Sequence, residues 1–225
     1  MRIGLLLPAY NEEKNLRKIL PKLKKMYGNA LILVVDDGSK DKTAEIAKTF
    51  GVRVIRHRIN KGKGEALKTG FEFFKKTNVE VVVIVDADGQ YPVEETKKLL
   101  EKIENDYDVV LGYRNWKEVP LRHRIGNFVW RNVFNFLFGT HFKDTNCGLM
   151  AITRKALNKI ENTGGGYIIE NALLVEFLKK RFKIGETQVR VIYKRKSGIL
   201  RGLRIVLGIL IYIVKEGLKF RFSKR

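Results

Sequence analysis

The sequence predicts an α/β protein: a mostly parallel, Rossmann-like sheet flanked by helices, followed by a C-terminal amphipathic helix. Three observations carry that expectation. Short apolar runs, rich in β-branched residues and bounded by turn formers, recur through the first half of the chain. Segments with apolar residues at helical spacing lie between them, and strand alternating with helix marks a parallel sheet covered on both faces. Three of the apolar runs end in polar clusters, and such sheets place ligands beyond the carboxyl ends of their strands.

Ile3–Leu7, Leu31–Val35, Val52–Ile55, Val81–Val85 and Val109–Leu111 are the predicted strands. Glu12–Met26 carries Leu16, Ile19, Leu20 and Leu23 on one helical face, and Lys42–Phe50, Gly64–Lys76 and Val93–Ile103 follow the same spacing. The pattern loosens after residue 112. Pro120–Phe138 reads as a helix with Trp130, Phe134 and Leu137 on one side, and Asp144–Gly148 as a polar break. Arg154–Ile160 and Ile168–Arg181 read as helices, and Gly185–Tyr193 as a last strand. The N-terminal apolar run is too short for a signal peptide and lacks a small-residue cleavage site, so a first strand is the better reading. The expected division is one domain over residues 1–197 and a basic amphipathic tail over 198–225.

The chain has 225 residues, enough for one sizeable core, and a formal charge of +21 from 45 Lys and Arg against 24 Asp and Glu. That surplus favours anionic partners: nucleic acid, lipid headgroups or phosphate-bearing substrates. The single cysteine, Cys147, excludes an intrachain disulfide and fits a reducing, intracellular setting. It has no evident His partner and reads as a small packed residue, while His57, His123 and His141 show no metal-ligand spacing.

The tail has its own pattern. Its uncharged core, Ile205–Val214, is ten residues long, against roughly 20 needed to span a bilayer as a helix. Arg201, Arg204, Lys215 and Lys219 fall near one stripe with Gly208 and Tyr212 between them, and the rest of the circumference is apolar. Ten Lys and Arg residues from Lys194 to Arg225 face one acidic residue, Glu216. Such a helix suits an anionic membrane surface, or a homodimer contact.

The polar clusters carry the chemistry. Asp86-Ala87-Asp88-Gly89-Gln90 sets two carboxylates at i and i+2 after a buried strand, and Gly89 eases the bend that turns both toward one site. Oxygen ligands of this kind suit Mg²⁺ or Mn²⁺ shared with substrate phosphates; the rival reading is that they cap the helix starting near Pro92. Asp36-Asp37-Gly38-Ser39-Lys40-Asp41 is either a turn with a helix cap, for which Asp41 is a candidate, or a carboxylate for a nucleoside. Asn60-Lys61-Gly62-Lys63-Gly64 resembles a phosphate-binding loop but lacks the P-loop ending, and also reads as a turn with solvated lysines.

Taken together, Pro8-Ala9-Tyr10-Asn11-Glu12, Asp36-Asp37-Gly38-Ser39-x-Asp41, Asn60-x-Gly62-Lys63-Gly64-x-Ala66 and Asp86-x-Asp88-Gly89-Gln90 resemble the family 2 glycosyltransferases, and among them the dolichol-phosphate mannose synthase-like enzymes. Gly112-x-Arg114, Asp144-x-x-Cys147-Gly148 and Glu170 look like that family's acceptor-side elements. The resemblance implies a GT-A fold, a nucleotide-diphosphate sugar donor linked through GDP or UDP, and inverting transfer. It implies that Pro8, Tyr10, Glu12 and Asp37 hold the nucleoside. Asp86, Asp88 and Gln90 would bind metal, with Lys63 and Ala87 also on the donor side. Asp88, Arg114, Asp144 and Arg195 are the expected catalytic residues, the two arginines serving phosphates. The sequence departs from the family pattern at Gly148-Leu149-Met150, where relatives often carry Gly-Phe-Arg, and after Gly198, where Ile199-Leu200-Arg201 replaces a Ser-Lys pair.

The expected acceptor is a polyprenyl phosphate such as dolichyl phosphate, with the tail holding the enzyme peripherally at the cytoplasmic face of a membrane. Mannose or glucose is the expected sugar. Such an acceptor is already ionised and needs positioning more than deprotonation. A glycan or glycolipid hydroxyl would need a base, for which Asp144 is the candidate. A nucleic-acid-binding protein is disfavoured, because neither a docking element nor basic–aromatic interleaving is present and strand-end carboxylates repel phosphates without a metal.

Overall fold

The computed structural model describes residues 1–117, 119, 121–161, 168–193 and 199–222, the side chains of 121–123, 125 and 199–206 excepted. Its strands are β1 (Ile3–Ala9), β2 (Leu31–Asp36), β3 (Arg53–Arg56), β4 (Val81–Ile84), β5 (Val109–Arg114), β6 (Met150–Thr153) and β7 (Ile184–Val189). They form one sheet in the order β3-β2-β1-β4-β6-β5-β7. Neighbours run parallel except at β6, which is antiparallel to both β4 and β5.

β6 was not among the predicted strands. It is four residues long, buried, and runs straight into a helix, so neither alternation nor length marks it. Its direction matters for function: the chain just before β6 arrives at the edge where β1, β2, β4 and β5 end, because Met150 pairs with Ile84 and with Leu111.

Helices cover both faces. α1 (Glu13–Met26), α2 (Thr43–Thr49) and α4 (Thr96–Glu104) bury Leu16, Ile19, Leu20, Ile46, Leu99 and Ile103 against Leu5, Leu7, Val34 and Val83 on one face. α3 (Lys63–Lys75), α5 (Leu121–Phe138), α6 (Arg154–Leu157), α7 (Ile169–Lys179) and α8 (Ile199–Phe222) cover the other, around Leu6, Leu33, Val82, Phe74, Phe134 and Phe177. The expected helix over Val93–Ile103 begins as a 3₁₀ turn, Val93–Glu95, because Pro92 fixes the entry.

The C-terminal helix is part of this second core. Ile209, Ile213 and Phe220 are buried in it. The Phe220 ring lies tilted against Phe138, 5.1 Å between centroids, and Arg221 Nε donates to the Leu137 carbonyl at 3.0 Å. A Cβ on Gly217 would lie 2.6 Å from Leu137 Cβ, so the glycine permits the close approach of α8 to α5. The apolar circumference expected to be free is therefore divided. One stripe faces the core, and another, Leu207, Ile211, Val214, Leu218 and Phe222, stays exposed. Among the described residues no helix is long and apolar enough to cross a membrane.

Candidate active site

The first two polar clusters meet because each satisfies the other's backbone. The opening N–H groups of α1 lack intrahelical partners. Asn11 N donates to Ser39 Oγ at 2.9 Å, Glu12 N to Thr43 Oγ1 at 2.8 Å and Glu13 N to Asp41 Oδ2 at 3.2 Å. In return Lys40 N donates to Asn11 Oδ1 at 2.8 Å and Lys42 N to Glu13 Oε2 at 3.1 Å. Asp41 also accepts from Thr43 N at 3.0 Å, but the N-cap residue of α2 is Lys42 and the helix has no side-chain cap, so the capping role expected of Asp41 is not the one it fills. Asn11 takes a φ of 57° to make the corner. Beside this joint Pro8 is buried, Glu12 half-buried and Tyr10 exposed.

Asp37 is almost fully buried and already engaged. Its carboxylate accepts from Lys61 N at 3.0 Å and Gly62 N at 2.7 Å, and lies 2.7 Å from His57 Nδ1. His57 Nε2 reaches Thr69 Oγ1 at 2.9 Å, so this histidine ties the turn to α3. The geometry sets Asp37 to shape the loop that leads into Lys63.

The acidic cluster turns into the site at Gly89, whose φ is 69°. Asp88 Oδ1 accepts from Gln90 N at 2.9 Å, and the Gln90 carbonyl accepts from Ile192 N at 2.7 Å. Ala87 is buried beneath them. The turn at Val93 has no side-chain cap, which removes the capping alternative for Asp86 and Asp88. Asp86 Oδ1 instead lies 2.7 Å from Lys63 Nζ, which lies 2.7 Å from Glu170 Oε1 in the first turn of α7. Behind Asp86 stands Gly148, where a Cβ would fall 1.9 Å from Asp86 Oδ2. Burial pushes the Asp86 carboxyl up to about 6 despite Lys63. Burial works to lower the Lys63 ammonium, but Asp86 and Glu170 outweigh it and hold the lysine above its ordinary value.

These residues fit a divalent cation. Lys63 stands in for one, a positive charge drawn onto Asp86. Asp86 and Asp88 are both partly buried oxygen donors. Among the described residues no group of three or more His, Cys, Asp or Glu side chains gathers as a metal cage. The donor set therefore suits a hard cation that completes its shell with phosphate and water.

Across the edge, Arg114 at the end of β5 is locked by Asp144. Nε donates to Oδ2 at 2.6 Å and Nη2 to Oδ1 at 2.9 Å, with Nη2 also on Asn127 Oδ1 at 3.1 Å. Asp144 is 1% exposed and also accepts from Asn146 N at 3.0 Å. The bidentate fork engages both carboxylate oxygens of Asp144 and fixes the Arg114 guanidinium. Burial opposes the Arg114 charge, but Asp144 more than restores it. The guanidinium carbon lies 5.5 Å from the Trp116 ring, whose Nε1 donates to the Lys143 carbonyl at 3.0 Å. Tyr91 fills the space between the two halves: its hydroxyl lies 3.5 Å from Cys147 Sγ and accepts from Gly148 N at 3.2 Å. Cys147 is buried and packed, as expected.

The structure thus joins Lys63 to Asp86 and Glu170, sets Asp88 and Gln90 in the turn beside Asp86, and pairs Arg114 with Asp144 at the end of β5. Arg195 lies outside the described residues, as does the side chain of His123, and His141 is exposed. Sequence reasoning did not assign the Lys63–Glu170 bond, Asn127, Tyr91 or Trp116. The partners run from Asn127 and Arg114, 13 residues apart, to Lys63 and Glu170, 107 apart, and no spacing rule links them.

A Rossmann-like sheet ending in an acidic pair, with Lys63 on Asp86, is the arrangement of a GT-A fold. The chain belongs to glycosyl transferase family 2, whose family model matches residues 5–160. It is 30% identical to a UDP-N-acetylglucosamine–dolichyl-phosphate N-acetylglucosaminyltransferase of Methanococcus voltae, over 93% of this chain and 93% of that protein. It is 32% identical to a dolichyl-phosphate hexose transferase of Haloferax volcanii, over 87% of this chain and 84% of that protein. The fold matches glucosyl-3-phosphoglycerate synthase from Mycobacterium tuberculosis, solved with Mn²⁺, uridine diphosphate and phosphoglyceric acid, at a TM-score of 0.78 and 20% identity over 96% of this chain and 78% of that one.

Proposed function

We propose that this enzyme transfers a hexose, mannose or glucose, with inversion, from a GDP- or UDP-linked donor to a polyprenyl phosphate. The observation that carries the choice of acceptor is the state of the site's carboxylates. Asp144 is spent on Arg114, Glu170 on Lys63, and Glu186 accepts from Lys143 N and Asp144 N. A hydroxyl acceptor needs one of them as a base, whereas a phosphate monoester arrives ionised. The two relatives act, by their names, on dolichyl phosphate, which supports the same choice.

In this reading Pro8, Tyr10 and Glu12 border the nucleoside, and Asp37 holds the turn that presents Lys63 to the diphosphate. Asp86 and Asp88, with Gln90 beside them, hold Mg²⁺ or Mn²⁺. That ion supplies charge neutralisation of the departing nucleoside diphosphate. Arg114, fixed by Asp144 and Asn127, steers the acceptor phosphate so that its oxygen displaces the diphosphate from the anomeric carbon. Arg195 serves the same phosphate. The exposed stripe of α8 and the basic tail hold the enzyme at the cytoplasmic face of an anionic membrane; a homodimer through that stripe is the competing use. Residues 198–225 thus remain a functional tail although α8 packs into the core.

The test is incubation of the full chain with radiolabelled GDP- and UDP-sugars, polyprenyl phosphate and Mn²⁺ or Mg²⁺, followed by lipid extraction. Label in the lipid phase is the expected outcome. Label carried only into water-soluble glycan would move the reading to a hydroxyl acceptor.

A further inference from the structure

Lys63 occupies an unusual place for a residue expected to meet the donor. It is the first residue of α3, yet its ammonium sits 2.7 Å from an oxygen on the β4 end and 2.7 Å from another on α7. All three side chains are largely shielded, at 28%, 22% and 15% exposure for Lys63, Asp86 and Glu170. Two carboxylate oxygens converging on one positive charge make a cation site, and here the protein's own ammonium fills it. Asp86 turns Oδ1 to Lys63, while Oδ2 lies directly against Gly148. A divalent ion drawn to Asp86 therefore meets a resident cation on the oxygen it needs.

We propose that Lys63 is an internal counter-cation that keeps the metal site closed to free metal and opens it when a nucleoside diphosphate arrives. The proposal deepens the nucleotide-sugar reading and rests on it. The lysine stem is long and freely rotating. It can release Asp86, keep Glu170, and place its ammonium on a donor phosphate within reach. Metal entering alone costs the Lys63–Asp86 contact and leaves two cations side by side. Metal entering with a diphosphate costs nothing of the kind, because the phosphate offers the lysine a new anionic partner. Lys63 thereby couples the two ligands, and the coupling is reciprocal. Glu170 is the positioning residue: it holds the ammonium beside the site once Asp86 is given up. The arrangement commits metal to enzyme molecules that already carry donor.

The experiment measures Mn²⁺ binding to the full chain by electron paramagnetic resonance of the free ion, with and without GDP or UDP. Lys63→Met is expected to tighten Mn²⁺ binding in the absence of nucleotide by about tenfold, within the usual range of coupling between sites. The gain conferred by nucleotide should shrink by a similar factor. Lys63→Gln should behave alike and stands in for it if the methionine variant does not fold. Lys63→Arg keeps the charge and should resemble the parent. Lys61→Met removes an exposed neighbouring charge and should change nothing, which separates the contact from net charge. Glu170→Gln leaves the ammonium wholly on Asp86, so binding of Mn²⁺ alone should be no tighter than in the parent. Unchanged Mn²⁺ affinity in both neutral Lys63 variants overturns the proposal, as does equal tightening in Lys61→Met. If no variant and no parent takes up Mn²⁺ with either nucleotide, the nucleotide-sugar reading itself falls and takes this inference with it.

Discussion

Asp88 and Gly148 show how single residues divide the work of the site. Asp88 contributes a partly buried carboxylate oriented by Gln90 N. Asp88→Ala should abolish both transfer and metal-dependent donor binding, read by equilibrium dialysis with labelled nucleotide. Wild-type turnover in that variant would remove the metal assignment. Gly148→Ala tests position and not charge. The added methyl meets only the far end of Asp86, which can swing aside, so thermal melting should stay close to the parent. Mn²⁺ and donor affinity should nevertheless fall, because Asp86 is displaced from its place beside Lys63. Cys147 supplies a contrast. Burial pushes its thiol up to about 12, well above the ordinary cysteine value. At pH 8 the native protein should react with a disulfide reagent far more slowly than the denatured chain, and transfer should be indifferent to the reagent.

At the scale of elements, α8 is the test of how amphipathicity is used. Ile213 is fully buried against the second core, whereas Ile211 on the same helix is 61% exposed. Ile213→Ala should cost about 2–5 kcal/mol in chemical denaturation, the usual range for emptying a core site. Ile211→Ala should stay within about 0.5 kcal/mol. Removing the whole tail would strip Ile209, Ile213 and Phe220 from the core, so truncation mixes folding with membrane attachment. Point changes on the exposed stripe keep them apart. β6 carries a different lesson. Only four residues long, it sits in the middle of the sheet and reverses the chain. That reversal sends Asp144, Cys147 and Gly148 to the edge that already holds Asp86.

For the whole molecule, charge and exposed apolar surface point the same way. The chain carries +21, and α8 shows Leu207, Ile211 and Leu218 to solvent. The protein should sediment with phosphatidylglycerol vesicles and poorly with phosphatidylcholine vesicles. Raising salt from about 0.1 M to 1 M should weaken that binding, as the screening length falls from about 10 Å to 3 Å. Leu207→Glu, Ile211→Glu and Leu218→Glu together should release it without lowering the melting temperature. Persistent sedimentation of the triple variant would sink the interfacial role of α8, and a shift from dimer to monomer in its place would assign the stripe to a partner subunit.

Most of the first half of the fold was legible in the chain. Five apolar runs and the helical patterns between them appear where expected, because periodicity is a local property and each run is long enough to show it. The strand-end clusters were legible for the same reason: in a parallel sheet every strand ends at one edge, so Tyr10, Asp37 and Asp86 had to share a neighbourhood. The glycines around Lys63 left two readings open, a phosphate-binding loop or a turn with solvated lysines. The sequence by itself thus determined six of the seven strands, the edge where the polar clusters meet and the acidic pair. Only the tertiary structure decided that Asp144 grips Arg114, that Lys63 is shared by Asp86 and Glu170, and which stripe of α8 is spent on the core. Those contacts join residues up to 107 positions apart, and their geometry is set by how helices and strands pack, which no local pattern records.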